Sequence, residues 1–299
     1  MAQQRETLTF EVDGHTIAGI TAGPAAATGR PLIAALHGGT YTARYFDVAG
    51  SPQGSFLDVA AAHGYPVVAL DRPGYGGSTP LEPAGNTFER HADLLSRAVG
   101  QAAERLAAEQ VFLVGHSIGG MIALMIAADG PAFPLIGVSA TGMGAVIPPG
   151  GAAEALGSLP LDATVDLPYD QRDQVMFGPA STYRPEALHQ AHASYAPVPV
   201  RELAQAPLWP KEHLPTVAPR VRVPVHNALA EFDALWDSSP HNVALFAGMF
   251  TAAPFVEAGV ARATGHCIDH HRLAHALHLR QLAFAEECAA WASDGDRHA

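Results

Sequence analysis

Cysteine is scarce in this 299-residue chain: Cys267 and Cys288 are the whole supply, too few for a disulfide framework. Basic residues are short as well. Lys and Arg number 17 against 29 Asp and Glu, a formal net charge of −12. That sign argues against nucleic acid or an anionic membrane surface as partner, and disfavours polyanionic substrates such as free coenzyme A. No apolar run is long enough to span a bilayer. The polar start, Met1-Ala2-Gln3-Gln4-Arg5-Glu6, lacks the form of a signal peptide. The expectation is a cytoplasmic protein with no membrane partner. Hydrophobic residues at 48% and charged ones at 15% supply a large core and speak against disorder.

What is present is an alternation. Thr7 to Val12 reads as a strand, Asp13-Gly14 as a hairpin turn, and His15 to Ala22 as the return. Pro31 to Leu36 and Pro66 to Leu70 are continuous apolar runs, as expected of strands buried on both faces. Phe56 to His63 and Phe88 to Ala108 carry helical spacing, the latter through Leu94, Leu95, Ala98 and Val99. Leu135 to Ser139 is a further strand. The rhythm breaks between Gly144 and Arg220, where twelve prolines separate short helix-like pieces, and a stretch this long reads as a lid. Arg222 to Leu229 resumes the sheet. Pro240 to Phe250 reads as a helix, Pro254 to Ala258 as a final short strand, and Ile268 to Trp291 as a closing helix. The expected division is a core at 1–143 and 221–299 with a helical lid at 144–220. Alternating strands and helices imply a parallel sheet wrapped on both sides.

The most informative stretch is Val111-Phe112-Leu113-Val114-Gly115-His116-Ser117-Ile118-Gly119-Gly120. A buried strand runs into Gly-X-Ser-X-Gly and then into the helical Met121 to Ala127. Serine at the apex of a strand-to-helix turn is a nucleophile elbow. Glycines beside it remove side chains that would collide with strand or helix, leaving the Ser117 hydroxyl at a helix N-terminus that favours negative charge.

Four ordered motifs give the chain its resemblance to the α/β-hydrolases. His37-Gly38-Gly39 follows the third strand, Asp71-Arg72-Pro73-Gly74-Tyr75-Gly76-Gly77-Ser78 the fourth, the elbow the fifth, and Gly265-His266 the last. The resemblance implies the α/β-hydrolase fold, a mostly parallel central sheet flanked by helices with a helical lid insertion, and a triad in the order Ser, acid, His. The base is then His266, in the loop Thr264-Gly265-His266. Its rivals His270, His271, His275 and His278 fall on the expected closing helix, poorly placed to reach the sheet edge. The acid should end the strand after the lid, where Val223-Pro224 leads to Ala230-Glu231-Phe232-Asp233. Ala230 stands where the family has glycine, which blurs the register. Asp233 is the choice, Glu231 the alternative, and Asp237 lies too far on. Ser139 to Met143, one strand earlier, holds no carboxylate.

The oxyanion donors implied are the amides of Ile118 and Gly39, with Thr40 and Tyr41 as candidates for the pocket wall. The glycine-rich segment after Asp71 lacks the Lys and helix of a phosphate loop and reads as a structural turn, Asp71 and Arg72 bonding neighbouring loops. His271, His275 and His278 share a face of the expected helix, but no metal-ligand pattern accompanies them, so they read as solvated and no metal or cofactor is expected. Cys267 reads as a small core or pocket residue. Phe177, Tyr169, Tyr183, Tyr195, Leu208 and Trp209 suggest a mostly apolar pocket under the lid.

Serine at the apex excludes the haloalkane dehalogenases and epoxide hydrolases of this fold, which carry Asp there. The reading is a serine hydrolase cleaving an ester or thioester of a small, mostly apolar acyl substrate through an acyl-enzyme. C–C bond hydrolases, lactonases, amidases and acyltransferases share the triad. A cyclase, lyase or binding protein of the same fold is the reading from another class.

Overall fold

The computed structural model describes residues 5–24, 29–48, 54–149 and 160–294. Among the described residues ten strands occur in chain order: β1 (Glu6–Val12), β2 (His15–Ala22), β3 (Leu32–Leu36), β4 (Val67–Leu70), β5 (Val111–His116), β6 (Leu135–Thr141), β7 (Thr164–Val165), β8 (Val198–Pro199), β9 (Val225–Phe232) and β10 (Val256–Gly265). Eight form one sheet in the order β1-β2-β4-β3-β5-β6-β9-β10; only β2 runs against the rest. β3, β4 and β5 are buried along their whole length, as their unbroken apolar runs require. β1 instead alternates, turning Leu8, Phe10 and Val12 inward.

The helices are α1 (Phe56–Ala62), α2 (Phe88–Arg105), α3 (Ile118–Asp129), α4 (Tyr169–Met176), α5 (Pro185–His192), α6 (Val200–Gln205), α7 (Trp209–Glu212), α8 (Leu214–Val217), α9 (Pro240–Gly248) and α10 (Ala274–Ser293). Thr87 caps α2, its hydroxyl accepting from Arg90 N, and Leu94, Leu95, Ala98 and Val99 face the core. α3 is apolar all round because it is buried all round, from Ile118 to Ala127. The chain leaves the sheet at Thr141 and returns beside it at Val225, with Val138 opposite Val225. The intervening insertion holds α4 to α8 and the two-residue pair β7–β8. Residues 150–159, within the expected lid, lie outside the described residues.

Two expected elements differ. The last strand is ten residues long, not five: Val256 to Ala261 pair in register with Val225 to Ala230, then shift before Gly265 meets Phe232. Its run of small residues has no clear period, so only the partner strand reveals it. The closing helix starts at Ala274, not Ile268. Ile268–His270 is a single 3-10 turn and His271 is extended, because its ring is engaged with the loop before it.

β3 lies between β4 and β5, so the connections leaving β3 and β5 diverge above their C-terminal ends. Such a switch point opens a crevice. His37-Gly38-Gly39 and Ser117 both emerge there.

Candidate active site

Ser117 sits between β5 and α3 at φ 53°, ψ −121°, a conformation that non-glycine residues avoid. Its amide donates to Thr141 O at 2.7 Å and its carbonyl accepts from Gly120 N at 2.9 Å, which holds the strained turn. A Cβ at Gly119 would collide with the Leu36 and His37 carbonyls, so the α3 start and the β3 end can approach this closely only with glycine there.

His266 Nε2 lies 3.1 Å from Ser117 Oγ, and His266 Nδ1 lies 3.1 and 3.0 Å from Asp233 Oδ1 and Oδ2. Asp233 Oδ1 also accepts from the amides of Leu235 and Trp236, at 2.9 and 3.2 Å. Both side chains are buried. Glu231 is turned elsewhere: exposed, it accepts from Ala263 N at 2.7 Å and braces the shifted end of β10, where Ala263 has φ 52°. Asp237 accepts from Ser239 N. The structure thus brings Ser117, His266 and Asp233 together and leaves Glu231 and Asp237 out.

The loop bearing His266 is held from two sides. Cys267 N and Sγ both donate to Met176 O at the end of α4, at 2.9 and 3.0 Å. His271 Nδ1 donates to Cys267 O at 2.9 Å while its Nε2 accepts from Gly265 N at 2.8 Å. A ring that must both donate and accept is neutral, and burial lowers the His271 pKa to about 4. Burial also pushes the Cys267 thiol well above its usual range, so it is no competing nucleophile.

The histidines expected to be solvated are mostly buried. His270 and His278 join His271 in the interior, and His278 Nε2 lies 2.9 Å from Asp269 Oδ1, whose other oxygen accepts from Tyr45 OH at 2.8 Å. Only His275 and His278 are on α10. Helical spacing misplaced the others because the segment is not one helix: it bends at His271. Among the described residues, no three His, Cys, Asp or Glu side chains converge as metal ligands.

Gly39 and Ile118 flank Ser117 in the wall of a cavity of about 280 Å³. The Ile118 amide is among the first-turn donors that helix geometry leaves unused. The turn bearing Gly39 is braced by Arg72, whose Nε donates to His37 O at 3.0 Å and Nη2 to Gly38 O at 3.2 Å. Arg72 Nη1 pairs with Glu202 Oε2 of α6 at 2.7 Å, both side chains fully buried. Asp71 accepts from Ala43 N and Gly77 N. Both residues thus bond neighbouring loops.

The rest of the cavity wall comes from α4 and α6 (Val175, Met176, Leu203), from Leu167 and Pro207 beside them, and from Leu235 and Trp236 after β9. It is mostly apolar, with Gln171 and Arg172 as exceptions, but none of the six aromatic and aliphatic residues expected there line it. Trp209 is fully buried in the core cluster, Phe177 packs against Tyr183 and His271, and Tyr169 and Leu208 are exposed. Trp209 and Phe177 pack into the core clusters instead of facing the space. Thr40 lines the cavity; Tyr41 is buried behind it. Arg172 of α4 also lines the cavity, and sequence reasoning missed it: in Asp170-Gln171-Arg172-Asp173 it reads as a solvated charge.

A family model described as the alpha/beta hydrolase family matches residues 33–287. A dihydrolipoyllysine-residue acetyltransferase component of an acetoin cleaving system from Cupriavidus necator is 40% identical over 70 residues, 23% of this chain and 17% of that protein. A putative non-heme haloperoxidase of Mycobacterium phage D29 is 31% identical over 128 residues, 43% of this chain and 40% of that protein. The matches thus span less than half the length of either relative. Among solved structures, a soluble variant of monoglyceride lipase from Saccharomyces cerevisiae superposes with TM-score 0.70 at 17% identity, covering 96% of each chain.

Proposed function

Because the chain belongs to the alpha/beta hydrolase family, we propose that it is a serine hydrolase cleaving a carboxylic ester or thioester of a small, mostly apolar acyl substrate. The observation that carries this reading is the continuous chain from Ser117 Oγ through His266 to Asp233, beside a cavity walled by apolar side chains. A serine hydroxyl needs a base to become a nucleophile, and the base needs its second nitrogen held by a carboxylate. Ser117 Oγ attacks the acyl carbonyl as His266 Nε2 takes its proton. Asp233, at Nδ1, keeps the imidazole in the tautomer that leaves Nε2 free and stabilises the imidazolium. The carbonyl oxygen, now negative, is met by the amides of Ile118 and Gly39, each such donor being typically worth about 2.7–4 kcal/mol. His266 returns the proton to the leaving alcohol or thiol. Water, deprotonated by the same imidazole, then frees the acid and restores Ser117.

The insertion acts as a lid: its helices close the cavity over Ser117, and exclusion of water strengthens the oxyanion contacts. No helix among the described residues is long and apolar enough to cross a membrane. The expected setting is the cytoplasm, without nucleic acid or cofactor. A fluorophosphonate probe tests the reading. Stoichiometric labelling of the wild type that disappears in Ser117→Ala is the expected result; folded wild-type protein that resists the probe would sink it.

A further inference from the structure

The cavity beside Ser117 is mostly apolar; besides Ser117 and Gln171, its polar lining is one corner where two polar groups are buried without partners. Arg172 is 1% exposed and Thr40 2%. Arg172 Nε and Thr40 Oγ1 are both sealed from solvent with no hydrogen-bond partner, and both residues line the cavity. The remaining contacts of the guanidinium leave its charge under-compensated. Nη1 donates to Thr40 O at 3.3 Å, and Nη2 to Leu167 O at 2.9 Å and Asp166 Oδ1 at 3.2 Å. The Asp166 side chain is 72% exposed, so its charge is shared with water. Asp173, the next residue, is engaged by Tyr195 OH and His192 instead. The guanidinium carbon lies 4.3 Å from the centre of the Tyr195 ring, which supplies a further weak attraction.

Burying a cation costs several kcal/mol unless an anion and full hydrogen bonding offset it, and a buried donor left unpaired costs more again. A site that keeps both features at a cavity wall, with a hydroxyl alongside, is built for a ligand that brings the missing acceptor. We propose that Arg172 and Thr40 form an anion subsite that takes a carboxylate carried by the substrate's acyl part. The preferred substrates are then half-esters or half-thioesters of short dicarboxylic acids, rather than plain alkanoyl esters. This rests on the serine-hydrolase reading and adds the substrate class to it. The apolar walls receive the methylenes between the two carbonyl ends, and a shift of the two sealed side chains towards the ligand lets Thr40 donate its hydroxyl to the carboxylate and Arg172 Nε–H form a charge-assisted bond. Since Thr40 directly follows Gly39, the subsite adjoins the proposed oxyanion donor, which favours short acids. The net charge of −12 does not by itself oppose such a ligand, because Arg172 is a buried cation at this corner while its partner Asp166 is largely in water.

The test compares mono-p-nitrophenyl glutarate and succinate with p-nitrophenyl valerate and butyrate, which lack the terminal carboxylate, and with the methyl-capped diesters. The wild type should show kcat/KM at least about tenfold higher for the half-esters, the size of one charge-assisted hydrogen bond. Arg172→Gln should bring that ratio, taken within the variant itself, to about one, and Thr40→Val should cut the ratio by a few-fold. A wild type indifferent to the carboxylate, a capped diester as good as the half-ester, or an Arg172→Gln that lowers both series alike would overturn the proposal. In a parallel arm, free glutarate is titrated calorimetrically into Ser117→Ala and into Ser117→Ala/Arg172→Gln. Glutarate binding that depends on Arg172 in a protein that cleaves no ester would support the subsite and reject the hydrolase reading. Cleavage of neutral esters without glutarate binding would do the reverse.

Discussion

Arg72 and Arg172 are both buried, both contact the turn that carries Gly39, and both tie it to the insertion, yet they are solved differently. Arg72 has every nitrogen engaged: Nε and Nη2 on the His37 and Gly38 carbonyls, Nη1 on Glu202 and near His91 Nδ1, with the Tyr75 ring 4.5 Å away. Its carboxylate partner is as buried as it is, and Tyr75 OH donates to the same oxygen at 3.1 Å. Arg172 meets a carboxylate that is mostly in water and keeps Nε unpaired at a cavity wall. A buried charge with all its bonds made is architecture. One with a bond missing, on a residue of the cavity wall, is a candidate place for a ligand.

The two arginines bear on catalysis only if the chemistry between them runs through Ser117, so the largest expected effect is there. Ser117→Ala should lower kcat on p-nitrophenyl esters by about 10⁶-fold with no change in melting temperature. Next comes the acid: Asp233→Asn should cost about 10⁴-fold, whereas Glu231→Gln, bonded only to the β10 backbone, should stay within a few-fold. The reverse ranking in steady-state kinetics would move the acid.

The arginines themselves should separate by stability. Arg72→Met strands a buried Glu202 and should cost about 3–5 kcal/mol in urea unfolding; adding Glu202→Leu should recover most of it. Arg172→Gln strands no buried charge, since Asp166 is exposed, and should cost about 1–2 kcal/mol. Equal losses at the two sites would erase the distinction. The last effect separates arginines from histidines. Arginine stays protonated throughout the accessible range, but His226, His270 and His271 are each lowered by burial to about 4. The unfolded chain, with histidines near 6.5, binds more protons than the folded one between those values. Stability should therefore be full above about pH 6.5 and fall as pH drops towards 4. Urea midpoints at pH 7.5 and 5 would show the slope, and His271→Gln should flatten it; a slope altered instead by Arg172→Gln would contradict the assignment.

Much of the site was legible because its parts are local. Gly-His-Ser-Ile-Gly must follow a buried strand and open a helix, and the turn geometry demands those glycines wherever it occurs. His266 was legible by chain order and by the glycine before it. Asp233 was less so, because the choice against Glu231 is one of register: the two lie two residues apart at the strand end, where the chain turns, and only the packing of β10 shows which carboxylate faces the imidazole. His271 was misread as a helical, solvated residue because nothing in Asp269-His270-His271-Arg272 marks the bend. Its role depends on Gly265 N, six residues back.

By itself the sequence determined the alternation of strands and helices, the strained serine at the head of α3, and the residue types for the proposed nucleophile, base and acid. These follow from periodicity and steric rules that act over a few residues. The tertiary structure alone decided which side chains face the cavity, that Trp209 and Phe177 of the insertion pack into the core rather than line it, and that one buried arginine is satisfied while the other is not. Those outcomes depend on contacts between residues 130 or more positions apart, such as Arg72 with Glu202 and Arg172 with Thr40. No local pattern encodes which partner a long side chain will find.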